Sequence, residues 1–583
     1  MKKPAIVVIG LLVLLLGPLV ASASPFQSAV QQLIPDNGKR IGRLPSGEAI
    51  YGRFFILRMY KHNGFNPLWK PAAIRSLSEA LNSVAADGLE PRDYQFKAIM
   101  PYLRSPTRSR MTLAESAKVD ILLTEAFLRA MYHLYYGKSD PQGVDPDNNF
   151  GQARDGKDRS KLLLNWVRKA RIGDAYRWAR PKSPRYDLLK RGLVRYQRIK
   201  AAGGWPQIPK GKTLKPGESN SRVAMIRRRL TATGDLASAN GSNHYDGGLE
   251  QGVKRFQKRH GLAVDGAIGP GTLRSMNVSV DKRINQIRVN LERQRWILHE
   301  EKGEFLAVDI AGFMIYWFKN GNLIWQEQVQ VGKKFTNTPI FKDKIEYIDF
   351  NPTWTIPPGI LRRTILPAMK KDPSYLSRKG YKLLSRSGQR MDPYSVNWKS
   401  LSRFPYMVRQ PPGRKNALGI VKFMFPNKHH VFLHDTNHRD YLARQVRTTS
   451  SGCIRLRNPL DLAEKLLAKQ GWNRGRINKV IASGKTRRVK LQKPMRILIF
   501  YSTAWADNSA VHFKDDIYKR DPKVLAALKG PFKFHKRDLK PGERVAVPIK
   551  DDVEVTSEAF DIVEEPAPVI QRPRRSAPSF LDL

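Results

Sequence analysis

Three side chains form a set able to do chemistry. They are Cys453, His434 nineteen residues before it, and Arg455 two residues after it. Cys453 is the only cysteine in the chain and lies in the string Thr448-Thr449-Ser450-Ser451-Gly452-Cys453-Ile454-Arg455-Leu456. A buried structural thiol behaves as a small inert hydrophobe, whereas one flanked by Gly, Ser and Arg reads as reactive. A thiol becomes a strong nucleophile as thiolate, and a nearby imidazole or cation lowers its pKa. A tetrahedral intermediate needs backbone N–H donors, and Gly452 leaves the backbone beside the nucleophile accessible. The planar fork of Arg455 can hold a carboxylate in bidentate fashion. Together these are the parts of an acyl transfer.

The elements that must position them read as strands. His434 ends the run His430-Val431-Phe432-Leu433-His434, which predicts a strand with His430, Phe432 and His434 on one face. Cys453 and Arg455 share a face if their stretch is extended, so two adjacent strand ends would bring the set together. Other strands are predicted over Phe305 to Ile310, Met314 to Phe318 and Ile324 to Val331, with Asn320-Gly321 as a hairpin turn. More follow at Ile345 to Phe350, Val421 to Phe425 and Arg496 to Tyr501. Asn458-Pro459 caps a helix from Leu460 to Lys469. Residues 372–412 are irregular, basic and rich in aromatics. They read as an inserted lid that packs over a groove.

Upstream, residues 25–200 are helical by pattern, with stripes over Ala72 to Val84 and Leu113 to Tyr136. Residues 201–213 read as a linker. In 214–277, Val223, Ile226 and Leu230 make one helical stripe, Val253, Phe256 and Gln257 begin another, and Thr272-Leu273 opens a third short helix. Residues 522–583 read as a largely disordered tail with acidic and Pro-rich parts. Residues 1–23 combine Lys2 and Lys3, an apolar run and Ala21-Ser22-Ala23, the pattern of a signal peptide or an uncleaved anchor. The remainder is then exported, to an oxidising compartment where a lone cysteine has no intramolecular partner.

The net charge of +52 over 583 residues favours anionic partners. For an exported chain these are envelope polymers, and the export pattern opposes the rival reading of nucleic-acid binding. His429, His430, His434 and His438 raise a zinc reading, since on a helix the last three would share a face. Pro426 and the Val-Phe-Leu run favour a strand instead, so no metal and no cofactor are expected. A non-enzymatic wall-binding protein is a further rival, opposed by the intact His434, Cys453 and Arg455 set.

His434-Asp435-Thr436 followed by Ser450-Ser451-Gly452-Cys453-Ile454-Arg455-Leu456 resembles the signature of the L,D-transpeptidase catalytic family. That signature is a histidine followed by Ser-His-Gly-Cys-Val/Ile-Arg. Here Ser451 replaces the second histidine, so His434 carries the base role alone. Asn351-Pro352-Thr353-Trp354-Thr355-Ile356-Pro357-Pro358 and Thr503-Ala504-Trp505 extend the match. The string from Val253 to Leu273 resembles the peptidoglycan-binding helical domain family. The order of parts resembles the large periplasmic members. It implies a multidomain α+β chain: a mostly-β catalytic core at 300–521 with the inserted lid, a three-helix peptidoglycan-binding domain and a helical scaffold domain.

By that resemblance Cys453 attacks a tetrapeptide stem after diaminopimelate and expels D-alanine. His434 is the general base, its ring oriented by a backbone carbonyl such as that of Asp435. Ser450, Ser451 and Gly452 shape the oxyanion hole, and Trp354, Tyr406 and Arg409 join Arg455 in lining the donor groove. The acceptor is a second stem, a lipoprotein lysine or water. The implied partners are stem peptides and glycan, with cell-wall synthases as candidate protein partners. The membrane is touched only through the N-terminal segment if that stays uncleaved.

Overall fold

The computed structural model describes residues 23–36, 41–106, 111–150, 158–300, 303–413 and 415–533. All but the last residue of the expected signal segment 1–23, and all but the start of the expected tail, lie outside them. The chain divides into two compact units.

The first unit, drawn from residues up to Ser83, Glu90–Met131 and Gly156–Ala179, is helical. Helices Pro71–Ser83 and Leu113–Tyr136 match the two apolar stripes of the sequence to within a residue or so. Asp120 is buried in it and accepts from Tyr60 Oη and from the amides of Leu68 and Trp69, so its burial is compensated.

The second unit holds the rest. Helices Arg222–Thr233, Gly247–Arg259 and Pro270–Met276 pack Val223, Ile226, Leu230, Val253, Phe256 and Leu273 into one core. The middle helix starts earlier than the sequence stripe suggests. Asp246 caps it by accepting from the Leu249 amide at 2.8 Å, and Gly247-Gly248 form its first turn.

A nine-stranded sheet dominates this unit. Its strands in chain order are β1 Glu304–Asp309, β2 Met314–Lys319, β3 Asn322–Gly332, β4 Phe341–Phe350, β5 Val421–Met424, β6 Leu433–His434, β7 Thr448–Ser450, β8 Ile454–Leu456 and β9 Arg487–Phe500. They lie side by side as β7-β3-β8-β6-β5-β4-β9-β1-β2. Strand β2 also pairs with β3, so eight strands close into a barrel-like ring with β7 alongside. Asn320 and Gly321 both have positive φ, as a tight two-residue hairpin requires.

Residues 372–412, read as irregular, are folded. Lys382–Leu384, Arg390–Met391 and Met407–Gln410 join Trp354–Thr355 in a separate four-stranded sheet. Ile365, Met369, Leu376, Leu383, Trp398 and Val408 form its buried core. Tyr375, Tyr381 and Trp398 pack inward and Phe404 and Tyr406 lean on that core, while Tyr394 stays exposed. The start of the expected tail is folded: a helix runs over Asp521–Lys529, with Val524 and Leu528 buried. Among the described residues, no helix is long and apolar enough to cross a membrane.

Candidate active site

Strand register assembles the site. β6 and β8 run parallel, with Leu433 opposite Ile454 and His434 opposite Arg455. One pleat back, Phe432 accepts from the Ile454 amide at 3.1 Å, which sets Phe432 beside Cys453. Residues two apart face the same way, so Cys453, Arg455, Phe432 and His434 share one face. On the far side of β6, Lys422 of β5 stands opposite His434, its Nζ 4.2 Å from the centre of the Phe432 ring.

Cys453 is partly exposed, and its Sγ donates to the His430 carbonyl at 3.7 Å. Burial pushes the thiol pKa up, while the Phe432 backbone and the cations Arg455 and Lys422 pull it down. His434 is buried. Burial first, then Arg455 and Lys422, lower its pKa to about 3 against the opposing pull of the Asp435 and Leu418 backbones. Its Nδ1 is buried without a hydrogen-bond partner. At neutral pH the ring is thus uncharged. Arg455 carries Nε and Nη1 buried and equally without partners.

The turn before β8 is braced from three sides. Gly452 has φ +121°, and a Cβ there would come no closer than 3.8 Å to any neighbour, so backbone conformation rather than space selects glycine. Ser450 Oγ donates to Cys453 O at 2.5 Å and accepts from the Gly452 amide at 3.1 Å. Thr338 Oγ1 donates to Gly452 O and accepts from the Gly332 amide, both at 2.9 Å. Tyr518 Oη donates to Gly332 O at 2.5 Å. The Gly452 amide is therefore occupied. The amides of Ser451 and Cys453 make no hydrogen bond among the described residues.

Asp435 is also at the site. Its carboxylate accepts from the Ile420 amide at 3.1 Å and Arg439 Nη2 at 2.7 Å, and burial raises its pKa. Gly419, at φ +63°, passes so close that a Cβ would lie 2.3 Å from Asp435 Oδ2.

The expected five-residue strand through His434 is only Leu433–His434. His430 has φ +53° and sits in a turn that Asn427 closes with its side chain, so it leaves the shared face. It contributes its carbonyl instead. His429 packs on Phe341 with Asp147 nearby, and His438 stacks on Tyr441. Among the described residues no group of three or more His, Cys, Asp or Glu is placed to hold a metal.

Trp354, Tyr406 and Arg409 belong to the four-stranded sheet. Trp354 is buried against Tyr381, Tyr406 packs on Trp398 and Phe404, and Arg409 Nε donates to Thr355 Oγ1 at 3.4 Å. No hydrogen bond, ion pair or ring contact joins them to Cys453, His434 or Arg455. That sheet reaches the site through Leu418 and Phe432, both packed in its core. The sequence reading missed Lys422, Thr338, Tyr518 and the His430 carbonyl. Only strand register and loop closure bring these to the thiol.

With this geometry in hand, similarity to known proteins falls in three blocks. Residues 303–489 match the L,D-transpeptidase catalytic domain, 55–193 a scaffold domain and 219–276 a peptidoglycan-binding domain. A Haemophilus influenzae protein named "Putative L,D-transpeptidase" is 35% identical over 251 residues, 43% of this chain and 51% of its own. An N-acetylmuramoyl-L-alanine amidase of Bacillus licheniformis is 39% identical over 67 residues, 11% of this chain and 19% of its own. This chain thus spans about half of the first relative's length and about a fifth of the second's. A solved L,D-transpeptidase from Stackebrandtia nassauensis aligns with 51% of this chain and 96% of its own at 13% identity and a TM-score of 0.19. The thiol, imidazole and guanidinium gathered on β6 and β8 all lie inside the first block, so the part of the chain that holds them matches an L,D-transpeptidase catalytic domain, beside matches to a scaffold and a peptidoglycan-binding domain.

Proposed function

We propose that this protein is an exported L,D-transpeptidase working through a Cys453 acyl-enzyme. It takes a peptidoglycan tetrapeptide stem as donor, releases D-alanine and passes the acyl group to an acceptor amine. With a second stem as acceptor, the product is a cross-link between diaminopimelate residues. The observation that carries this reading is the unpartnered Nδ1 of a neutral His434 on the same sheet face as the only thiol.

In the first step the Sγ proton moves to His434 Nδ1 as Sγ bonds to the donor carbonyl carbon. The oxyanion is met by the free amides of Ser451 and Cys453. Collapse breaks the C–N bond, the leaving nitrogen takes the proton from His434, and D-alanine departs. The acceptor amine then attacks the thioester, gives its proton to His434, and the thiolate leaves and is reprotonated. Arg455, with two unpartnered nitrogens, holds a stem carboxylate. Ser450 keeps the turn in shape, and the peptidoglycan-binding module concentrates the enzyme at the wall.

The test is mass analysis of products from the purified chain and disaccharide tetrapeptides. Cross-linked dimer with loss of D-alanine is expected, and Cys453→Ala should give none. Tripeptide alone would make water the acceptor. Turnover retained in Cys453→Ala would remove the thiol mechanism altogether.

A further inference from the structure

Lys422 takes no part in the mechanism above, yet it occupies the middle of a polar row. Across adjacent strands the register reads Arg488 on β9, Asp349 on β4, Lys422 on β5, His434 on β6, Arg455 on β8 and Gln330 on β3. Asp349 is the carboxylate next to Lys422, but Arg488 occupies it with bonds of 2.7 and 3.1 Å. Asp435 is likewise taken by Arg439. Lys422 itself has no hydrogen bond or ion pair among the described residues. The Phe432 ring, 4.2 Å below its Nζ, is what holds the ammonium. Phe432 is also the residue set beside Cys453.

The charged and titratable groups facing Lys422 are therefore Asp349 and Arg488 on one side. On the other are His434, Cys453 and Arg455. Two cations flank one imidazole and one thiol, and the nearest carboxylates are committed elsewhere.

We propose that Lys422 is a positioning residue that sets the charge state of the Cys453–His434 pair, favouring the thiolate and disfavouring the imidazolium. A cation beside a thiol stabilises its charged form, and a cation beside an imidazole opposes its protonation. A proton leaving Sγ then reaches a base that binds it weakly and yields it readily to the leaving amine. Lys422 is half-buried, which strengthens both effects, since less water screens them than at an exposed site.

The inference rests on the Cys453 mechanism, but its test needs no wall substrate. The full chain, Lys422→Met and Lys422→Arg are alkylated with iodoacetamide across pH 5–10, and the His434 ring is titrated by NMR. Lys422→Met should slow alkylation at pH 7 about three- to tenfold by moving the thiol midpoint upward. It should also raise the His434 midpoint. Lys422→Arg should restore both. Coincident profiles for the full chain and Lys422→Met would overturn the proposal, as would an arginine variant as impaired as the methionine one. If the methionine variant loses its near-UV circular dichroism, Lys422→Gln carries the same comparison. Failure of the unaltered chain to turn over stem peptides would sink the functional reading while leaving these profiles to stand or fall alone.

Discussion

The resting state of the Cys453 thiol, the nucleophile of the proposed mechanism, follows from how two neighbours are desolvated. Burial drives the Cys453 thiol up and the His434 imidazole down, so both are uncharged at neutral pH. This differs from a thiolate–imidazolium pair, which forms when the two midpoints are reversed. Alkylation of Cys453 should therefore climb with pH into the alkaline range, with no separate rise near the ordinary histidine midpoint. A plateau between pH 5 and 7 would contradict it. His434→Ala should slow acylation by about 10²–10⁴, the usual cost of a lost general base, with donor affinity little changed. Changes at His429 or His438, which point to Phe341 and Tyr441, should do far less. Gly452→Ala meets no clash but forces a side chain to φ +121°, a strain on the order of 1–3 kcal/mol. The turn is expected to relax and move Sγ, so acylation should fall much more than the melting temperature does.

At the scale of elements, the site depends on the loop between β3 and β4 as much as on the strands that carry it. Thr338 bridges Gly332 to Gly452, and Tyr518 caps the same carbonyl edge. Thr338→Val keeps the shape but leaves a buried amide and carbonyl unpaired, a loss of about 1–3 kcal/mol. Acylation should drop while binding of soluble stem peptide persists. The inserted segment needs a similarly local test. Cutting out 372–412 would remove the buried Leu376 and Trp398 on which Met369 packs, so a folding loss would mask any effect on the acceptor. Tyr406→Ala removes a half-buried ring that leans on Trp398 and Phe404. If this sheet shields the acyl-enzyme from water, the ratio of hydrolysed tripeptide to dimer should rise, and an unchanged ratio would deny it that role.

These elements also mark where the sequence was readable. The helical stripes at 71–83 and 113–136 and the Asn320-Gly321 hairpin follow directly from periodicity and turn chemistry. The motif around Cys453 named the thiol, the imidazole and the guanidinium. Lys422 was invisible because one more lysine on a strand, among 103 basic residues, says nothing until the register sets it opposite His434. The His430 carbonyl was hidden for a different reason. A backbone atom carries no residue signal, and the left-handed φ of a histidine is not a sequence preference. The fold of 372–412 was missed because its strands are only two to four residues long, too short to show alternation.

At the scale of the second unit, the peptidoglycan-binding helices are joined to the catalytic part through buried polar groups. Arg259 pairs with Asp235 and also donates to Tyr196 Oη at 3.3 Å and Val511 O at 3.2 Å. His260 stacks between Phe256 and Phe513, with Arg283 over the same Phe513 ring. Burial, then Arg259 and Arg283, hold His260 well below its usual midpoint. His260 and His434 are thus two histidines kept neutral by folding, and the sign of their effect is fixed. The unfolded chain protonates them as pH falls through about 6.5, while the native state does not. Stability is whole above that pH and declines below it, by up to about 1.4 kcal/mol per pH unit for each histidine. Asp435 and Asp521, whose midpoints burial raises, act in the opposite direction, but from the carboxylate range upward. The window that brackets the unfolded histidine midpoint is about pH 7.5 to 5.5. Calorimetry there should show the melting temperature of this unit falling with acidification. His260→Phe retains a ring between Phe256 and Phe513 and removes one titrating group, so it should flatten the slope without abolishing it. An unaltered slope in that variant would mean that His260 is protonated in the native state, and that the join between wall-binding and catalytic parts does not depend on its neutrality.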